Sequence, residues 1–360
     1  MHKFAFMIHP LDISDITRKF PLARHLPSSL LERATRYLPP LKTSHITGVR
    51  SPYAETEGWF VACPLTSRQM VSLPEKFVME RIISTGRLAE KLGAEILGLG
   101  AMTSVVGDAG ITVARNLNIA VTTGNSYTVA TAIEATEKAA AMMDIDLPRA
   151  EVAIVGATGS IGAVCAKILA RRCQHLTLVA RNEAKLFRLA GEIKDMTGVK
   201  ARITSHSQEA IRRADVIITV TSAVDTIIEP GDLKPGAVVC DVARPRDVSR
   251  RVAEMRDDVL VIDGGVVEVP GNVNFNFNFG YPPGLAYACM AETMILALEG
   301  RIENFTLGRE LTVEQIDTIN RLAAKHGFRV AGFRSFELPV SEARVAAIRE
   351  QARRKAALPR

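Results

Sequence analysis

Between residues 150 and 265 of the chain, short apolar runs alternate with amphipathic segments. The runs EVAIVG, LTLVAR, DVIITVTS, AVVCDV and DVLVID have the length and the β-branched content of buried strands. The segments SIGAVCAKILARR and NEAKLFRLAGEIKDMTG carry apolar residues at helical spacing. Because this alternation is typical of βαβ units, it predicts a parallel sheet with helices on both faces.

The same pattern divides the chain into three predicted regions. We predict an N-terminal α/β domain on the substrate side over residues 1–147 and a Rossmann-type NAD(P)-binding domain over 148–268. A helical region over 269–360 follows and contains a candidate catalytic cysteine. The predicted fold class is therefore α/β, with a doubly wound parallel sheet flanked by an N-terminal α/β region and C-terminal helices.

Composition narrows the classes of protein that need to be considered. The chain has 47% hydrophobic and 23% charged residues and a formal charge of +6, which is typical of an ordinary globular protein. Its basic residues are scattered, so we expect no nucleic-acid partner, and no apolar run is long enough to span a membrane. At most, peripheral membrane contact is expected.

Cysteine usage favours a reducing environment. The five cysteines are odd in number, widely spaced and free of any C-x-x-C pair. This pattern argues against a disulfide framework and against a zinc site, so no metal is expected and the predicted location is the cytoplasm. Cys165, Cys173 and Cys240 fall within or beside predicted elements of the central domain and are interpreted as structural.

The segment VAIVGATGSIGAVCAKIL is the strongest local signal for a ligand. Its glycines lie between a buried strand and an amphipathic helix, where the missing Cβ atoms permit a tight turn and close approach of a pyrophosphate. Backbone N–H groups at the start of the helix then face the anion. The predicted dinucleotide-binding residues of this turn are Gly156, Thr158, Gly159, Ser160, Ile161 and Gly162.

The end of the second predicted strand indicates which dinucleotide is bound. An NAD site usually has Asp or Glu there, whereas this chain has Arg181 and Asn182. An arginine can bind the 2′-phosphate, so NADPH is the predicted cofactor; an arginine on the helix surface is the alternative. Later strand ends supply four more predicted cofactor-binding residues, namely Thr221, Ser222, Gly264 and Gly265.

The segment VTTGNSYTVATAIEA contains the turn Thr123–Gly124–Asn125–Ser126, which leads into a predicted helix. One interpretation is a helix cap, in which Asn or Ser satisfies the free N–H groups. The other places the same polar groups at the wall of the interdomain cleft, near the nicotinamide or the substrate. The two interpretations are compatible, and all four residues are candidates for that cleft.

The segment YPPGLAYACMAETMILALEG reads as a Pro-Pro-Gly turn that opens a long helix, with Cys289 in the second turn. A helical cysteine flanked by small apolar residues is commonly a packing residue. A helix start nearby would instead help to stabilise a thiolate, although this effect fades beyond the first turn. Glu292, on the same helix face, would raise the thiol pKa if it were ionised and close.

Six segments together resemble the long-chain acyl-[acyl carrier protein] reductases, which form fatty aldehydes. They are TTGNSYT, VGATGSIGAVCAKIL, LVARN, ACMAETMILALEG, the NF and GR of ENFTLGR, and KHGF. The resemblance implies that Cys289 accepts the acyl group as a thioester and that NADPH reduces this thioester to the aldehyde. It also implies an acyl carrier protein or coenzyme A thioester as the substrate, and an aldehyde-consuming enzyme as a candidate partner.

Some segments depart from this family. CDVARPRDV is more similar to a loop of the glutamyl-tRNA reductases, whose nucleophilic cysteine lies in the N-terminal domain; the surroundings of Cys63 do not match that site. Phe275, Phe277 and Phe279 alternate with asparagine and could line an acyl channel or form one face of a strand.

Two other functions compete with acyl-thioester reduction. One is a dehydrogenase of the shikimate or amino-acid type, which has no covalent intermediate. The other is an NADPH-binding regulatory protein without turnover. Replacing Cys289 with alanine would separate the first from the proposed reductase, because only the reductase depends on the thiol.

Overall fold

The computed structural model describes residues 1–19 and 26–357. The last three residues of the predicted C-terminal region therefore lie outside the described residues. By its internal contacts the chain divides into two compact units. Unit 1 comprises Met1–Tyr127, Val267–Glu310 and Glu314–Arg329, and unit 2 comprises Thr128–Val266, Leu311–Val313 and Val330–Arg360. The boundaries of the three predicted regions remain predictions.

The elements of secondary structure are as follows. The strands are β1 (Lys3–Ile8), β2 (Leu41–Arg50), β3 (Glu55–Ala62), β4 (Ile96–Leu99), β5 (Ala120–Thr122), β6 (Glu151–Val155), β7 (His175–Val179), β8 (Arg202–Thr204), β9 (Val216–Thr219), β10 (Val238–Asp241), β11 (Leu260–Asp263), β12 (Val266–Glu268), β13 (Gly271–Asn274), β14 (Leu285–Tyr287), β15 (Arg329–Val330), β16 (Arg334–Ser335) and β17 (Leu338–Pro339). The helices are α1 (Ile13–Lys19), α2 (Ser28–Thr35), α3 (Ser67–Ser72), α4 (Glu75–Lys91), α5 (Ile111–Arg115), α6 (Asn125–Met142), α7 (Ser160–Leu169), α8 (Glu183–Thr197), α9 (Ser207–Arg213), α10 (Arg250–Met255), α11 (Ala288–Glu299), α12 (Val313–His326) and α13 (Glu342–Ala356).

Unit 2 contains a sheet with the strand order β11-β10-β9-β6-β7-β8. All of its strand pairs are parallel. Starting from β6, the chain adds two strands on one side and then three on the other, which is the order of the dinucleotide-binding Rossmann fold. The predicted doubly wound α/β fold is therefore confirmed.

Unit 1 has a mixed sheet of its own, with the order β13-β2-β3-β1-β4-β5. Strands β3, β1, β4 and β5 are parallel, whereas β2 and β13 are joined to them by antiparallel pairing. The predicted N-terminal α/β region is thus present. Because carboxyl ends of parallel strands share one edge of a sheet, the turns after β4 and β5 lie at the same edge.

The two faces of the unit 1 sheet are covered by different helices. Alternate residues of β1, such as Ala5 and Met7, pack in a core with residues of α4, including Val78 and Ile82. Helix α11 covers the other face, and a Cβ atom on Gly98 of β4 would lie 2.1 Å from the Thr293 hydroxyl oxygen. This glycine therefore lets α11 lie directly on the sheet.

The start of α11 corrects one expectation. We predicted that the Pro-Pro-Gly turn opens the helix and that Cys289 occupies its second turn. Strand β14 instead separates that turn from the helix, which begins at Ala288. Cys289 consequently lies in the first turn, where the helix dipole acts most strongly.

The phenylalanine alternation is also not a strand. Strand β13 ends at Asn274, and Phe275, Phe277 and Phe279 lie in the irregular segment after it. Their ring centroids lie 6.0, 5.7 and 5.7 Å, respectively, from that of Phe60. The three rings therefore belong to an aromatic cluster beside the sheet, and the strand interpretation of these residues is wrong.

Candidate active site

Cys289 differs from the other cysteines in its exposure to solvent. All five cysteines lie in the described residues; Cys63, Cys165, Cys173 and Cys240 are buried, whereas Cys289 is partly exposed. Burial raises the pKa of the Cys173 thiol to about 11 and that of Cys240 to about 12. Those thiols stay protonated near neutral pH, so Cys289 is the cysteine best placed to react with a solute.

The position of Cys289 in α11 favours a negatively charged sulfur. It is the second residue of a helix whose N-terminal flanking residue is Tyr287. The first turn of a helix exposes backbone N–H groups and carries a partial positive charge. Both effects stabilise a thiolate relative to a thiol.

The turn after β5 lies against Cys289. Gly124 has a positive φ of +75°, and a Cβ atom built on it would lie 2.4 Å from both the Cα and the Cβ of Cys289. Only a residue without a side chain fits this contact. The structure thus brings together Cys289 and the turn Thr123–Gly124–Asn125–Ser126, two features that were predicted separately.

The Glu292 side chain is held in a buried network of hydrogen bonds. It is fully buried. One carboxylate oxygen, Oε1, accepts hydrogen bonds from the hydroxyl groups of Thr122, at 2.5 Å, and Thr306, at 2.7 Å. The other oxygen, Oε2, accepts from the Ser126 hydroxyl at 2.7 Å and from the Tyr127 backbone N–H at 2.9 Å.

These four partners are all donors, which suits a carboxylate because it can only accept. The Tyr127 N–H belongs to the first turn of α6, so Glu292 satisfies a helix-end donor that the helix itself leaves unpaired. Sequence reasoning missed Thr122 and Thr306 as parts of this network. The available signal for Thr122 was its position in TTGNSYT, one of the segments that carry the family resemblance, whereas Thr306 lies between the NF and GR that carry it.

The glycine turn between β6 and α7 has the geometry of a phosphate cradle. Gly156 has a φ of +89°, and a Cβ on Gly162 would lie 2.3 Å from the Gly156 carbonyl oxygen. Gly159 precedes the first residue of α7 and is exposed. If Gly159 had a Cβ atom, the only atom within 4 Å of it, apart from its own residue and its chain neighbours, would be the Gly156 carbonyl oxygen, at 3.3 Å. A pyrophosphate can therefore approach the backbone at this point.

The other predicted residues of this turn follow the cradle into α7. Thr158 lies between Gly156 and Gly159, and Ser160 and Ile161 are the first two residues of the helix; all three are half-buried. The backbone N–H groups of Ser160 and Ile161 thus belong to the end of α7 that attracts an anion, and Thr158 precedes that end.

The residues that follow β7 are suited to bind the 2′-phosphate of NADPH. Arg181 is exposed, and Asn182 caps α8 by accepting a hydrogen bond from the Lys185 backbone N–H at 3.0 Å. No carboxylate lies between β7 and the cap to repel a phosphate. The residues present therefore suit NADPH, with Arg181 the candidate for contact with its 2′-phosphate.

Two of the remaining cofactor candidates have structural contacts of their own. The Thr221 hydroxyl and backbone N–H both donate to Asp247, at 2.5 and 2.9 Å. A Cβ on Gly264 would lie 2.9 Å from the Cys240 sulfur. Ser222 is exposed, and Gly265 has a φ of +73°. Cofactor contact by these four residues remains a prediction.

Among the described residues, no group of three or more His, Cys, Asp or Glu side chains is arranged to hold a metal ion. Within the same residues, no helix is both long enough and apolar enough to cross a membrane.

Comparison with known proteins defines the class of the molecule. The model of the shikimate/quinate 5-dehydrogenase family matches residues 134–263, which include the whole parallel sheet of unit 2. Together with the Rossmann strand order of that sheet and the glycine turn after β6, this match shows an NAD(P)-binding domain of the dehydrogenase type.

Curated relatives narrow the class further. The chain is 29% identical over 306 residues to the long-chain acyl-[acyl-carrier-protein] reductase of Synechococcus elongatus, which covers 81% of this chain and 87% of that protein. The resemblance to that family and the prediction of NADPH are thereby confirmed. A glutamyl-tRNA reductase of Trichodesmium erythraeum is 24% identical over 49% of this chain and 41% of that protein.

A third relative is much longer than this chain. The aminotransferase PigE of a Serratia species is 32% identical in an alignment of 356 positions that covers 95% of this chain. The same alignment covers only 41% of PigE, so the chain spans less than half the length of that relative.

Proposed function

We propose that this protein reduces an acyl thioester to an aldehyde through an acyl-enzyme on Cys289. The observation that carries the proposal is the contact between Gly124 and Cys289. Through this contact a polar turn lies against a partly exposed cysteine in the first turn of a helix. A nucleophile beside preorganised hydrogen-bond donors is the arrangement that acyl transfer requires.

The chemistry follows from these parts. The Cys289 thiolate attacks the thioester carbonyl carbon; a new carbon–sulfur bond forms, and the carrier thiolate leaves and takes up a proton. When bound, NADPH supplies a hydride to the acyl carbon. The resulting hemithioacetal oxyanion collapses, and Cys289 departs as the thiolate while the aldehyde is released.

The turn Thr123–Gly124–Asn125–Ser126 is the proposed wall of the oxyanion site. The Ser126 hydroxyl donates to Glu292, and the Thr123 backbone N–H donates to the Thr306 carbonyl oxygen at 2.9 Å. These two groups hold the turn in place rather than face the substrate. Because Gly124 packs against the backbone and Cβ of Cys289, we assign oxyanion stabilisation to the Gly124–Asn125 part of the turn.

The proposed substrate is a thioester of acyl carrier protein or of coenzyme A. The Synechococcus elongatus relative, whose name specifies an acyl-[acyl-carrier-protein], supports the first. The proposed product also suits the longer relative, which is named an aminotransferase. Because aminotransferases exchange amino and carbonyl groups, an aldehyde is a substrate for that reaction, and we propose an aldehyde-consuming enzyme as the partner.

The test is an acylation experiment without reductant. The protein is incubated with palmitoyl-coenzyme A and palmitoyl-[acyl carrier protein] in the absence of NADPH, and its intact mass is measured. We expect one palmitoyl adduct on the wild type and on Cys173→Ser, and none on Cys289→Ala. Absence of an adduct with thioesters of several chain lengths would contradict the acyl-enzyme.

A non-covalent dehydrogenase is the second candidate, because the shikimate/quinate 5-dehydrogenase model matches the nucleotide-binding region. In that case Cys289→Ala would keep NADPH-dependent turnover, whereas the proposed reductase loses nearly all of it. A regulatory protein would bind NADPH and consume none with any thioester.

A further inference from the structure

We propose that Glu292 is a positioning residue that holds the turn around Gly124 against Cys289. This inference rests on the proposed acyl-enzyme function, and concerns how the site is kept in its working geometry. Glu292 lies one helical turn after Cys289 in α11. The same rigid helix therefore carries the nucleophile and the group that fixes its neighbouring turn.

The hydrogen bonds of Glu292 flank the turn on both sides. Thr122, which donates to Oε1, is the last residue of β5 and precedes the turn. Ser126 and Tyr127, which donate to Oε2, follow Gly124 in the first turn of α6. One carboxylate thus bridges the entry and the exit of the turn, and Gly124 lies between the two anchored ends.

Such a bridge is needed because glycine adds no stiffness of its own. Gly124 has a positive φ and no side chain to pack, so its conformation must be imposed by the surrounding structure. The network around Glu292 is buried, with Thr122, Ser126 and Thr306 all inaccessible to solvent. Water cannot readily replace a lost partner there, so removing the carboxylate leaves buried donors unsatisfied.

The negative charge of Glu292 allows its effect on the reactivity of the Cys289 thiol to be measured separately from its effect on the position of the turn. A carboxylate three residues from Cys289 disfavours a thiolate, whereas the helix dipole favours it. Replacing Glu292 with glutamine removes this negative charge, so a small alkylating reagent should react with Cys289 at least as fast. Acyl transfer also needs the turn in place, so it should become slower.

The experiment compares two rates on the same variant. For Glu292→Gln we expect acylation of Cys289 by palmitoyl-coenzyme A, without NADPH, to slow by at least about tenfold. The rate of alkylation by iodoacetamide should be unchanged or higher. Parallel loss of both rates would show a general disruption of the site, and an unchanged acylation rate would show that Glu292 has no positioning role; either result overturns the proposal.

Two further variants serve as a matched pair. Ser126→Ala and Thr306→Val each remove one hydroxyl donor to Glu292, at the same distance of 2.7 Å. Only Ser126 belongs to the turn. We therefore expect Ser126→Ala to slow acylation more than Thr306→Val does, and the opposite order would overturn the proposal.

The outcome also separates this inference from the proposed function. If the wild type forms no acyl adduct, the acyl-enzyme itself is wrong. If the wild type forms the adduct and Glu292→Gln forms it equally fast, only the positioning role is wrong.

Discussion

A Cβ atom on Gly124 would lie 2.4 Å from the Cβ of Cys289, well inside the distance at which two carbon atoms can coexist. The two residues belong to different segments of the chain, the turn after β5 and the first turn of α11. Their contact defines the candidate active site, because neither segment forms such a site alone.

The first prediction is that Gly124→Ala abolishes acylation of Cys289. The new methyl group forces the turn and the helix start apart, and the positive φ adds backbone strain. Since a displacement of about 1 Å can cost a hundredfold in rate, we expect acyl adduct formation to fall by about a hundredfold or more. Intact-mass kinetics with palmitoyl-coenzyme A measure it.

Gly93 offers the matched control for backbone strain. It also has a positive φ, +85°, but a Cβ atom added to Gly93 would have no other atom within 4 Å apart from its own residue and its chain neighbours. Gly93→Ala should therefore destabilise unit 1 by about 1–3 kcal/mol and leave the acylation rate near that of the wild type. Equal rates for the two alanine variants would mean that the contact with Cys289 is irrelevant to catalysis.

Sequence reasoning predicted the chemical groups of this site but not its construction. The glycine, the polar turn and the cysteine were each recognised from local chemistry. The pairing of Gly124 with Cys289 was not derivable, because the two residues are brought together by the packing of α11 on the sheet through Gly98. The hydrogen bonds of Glu292 to Thr122, Ser126 and Thr306 were not predicted for the same reason, since these partners are distant in sequence.

The second prediction concerns the selectivity of thiol chemistry. We expect substoichiometric iodoacetamide near neutral pH to label Cys289 in the folded protein and to spare the four buried cysteines. Burial raises the pKa of Cys173 to about 11 and that of Cys240 to about 12, so these thiols are almost entirely protonated. Peptide mapping identifies the labelled residue, and preferential labelling of any buried cysteine would contradict the assignment.

The third prediction concerns the choice of cofactor. Arg181→Glu should raise the KM for NADPH by about tenfold or more, because a carboxylate at the end of β7 repels the 2′-phosphate. The KM for NADH should rise much less or fall. Steady-state kinetics with both cofactors and one thioester substrate provide the measurement.

Arg188→Glu is the matched control, since Arg188 is another exposed arginine and lies within α8. It makes the same change in net charge several residues farther along the helix. If both variants shift the preference for NADPH over NADH equally, the effect comes from the net charge of this surface, and Arg181 has no specific contact with the 2′-phosphate.

The fold was more predictable than the site, and the reason is the range of the interactions involved. Short apolar runs and helical spacing are local properties, and they indicated every strand of the unit 2 sheet except β8, the short edge strand of Arg202–Thr204. The start of α11 was misplaced because the residues after Pro283 pair as strand β14. That pairing depends on contacts distant in sequence, which local pattern does not reveal.

The fourth prediction concerns His9, a buried residue just after β1. Its Nε2 accepts a hydrogen bond from the Met102 backbone N–H at 3.1 Å, and its Nδ1 donates to the Pro10 carbonyl oxygen at 2.9 Å. An acceptor at Nε2 requires a neutral ring. Burial lowers the pKa of His9 from 6.5 to about 4.

A histidine whose pKa is depressed by folding stabilises the protein above its unfolded pKa, and this stability is lost as the pH falls from 6.5 toward about 4. Between about pH 7.5 and about pH 5, the wild type should lose about 2 kcal/mol of unfolding free energy relative to His9→Gln. Glutamine does not titrate, and its carbonyl oxygen can still accept from Met102. Urea unfolding followed by fluorescence of Trp59, the single tryptophan, reports on this sheet because Trp59 pairs with Ala5 of β1. Parallel pH profiles for the two proteins would mean that His9 is protonated equally in the folded and unfolded states.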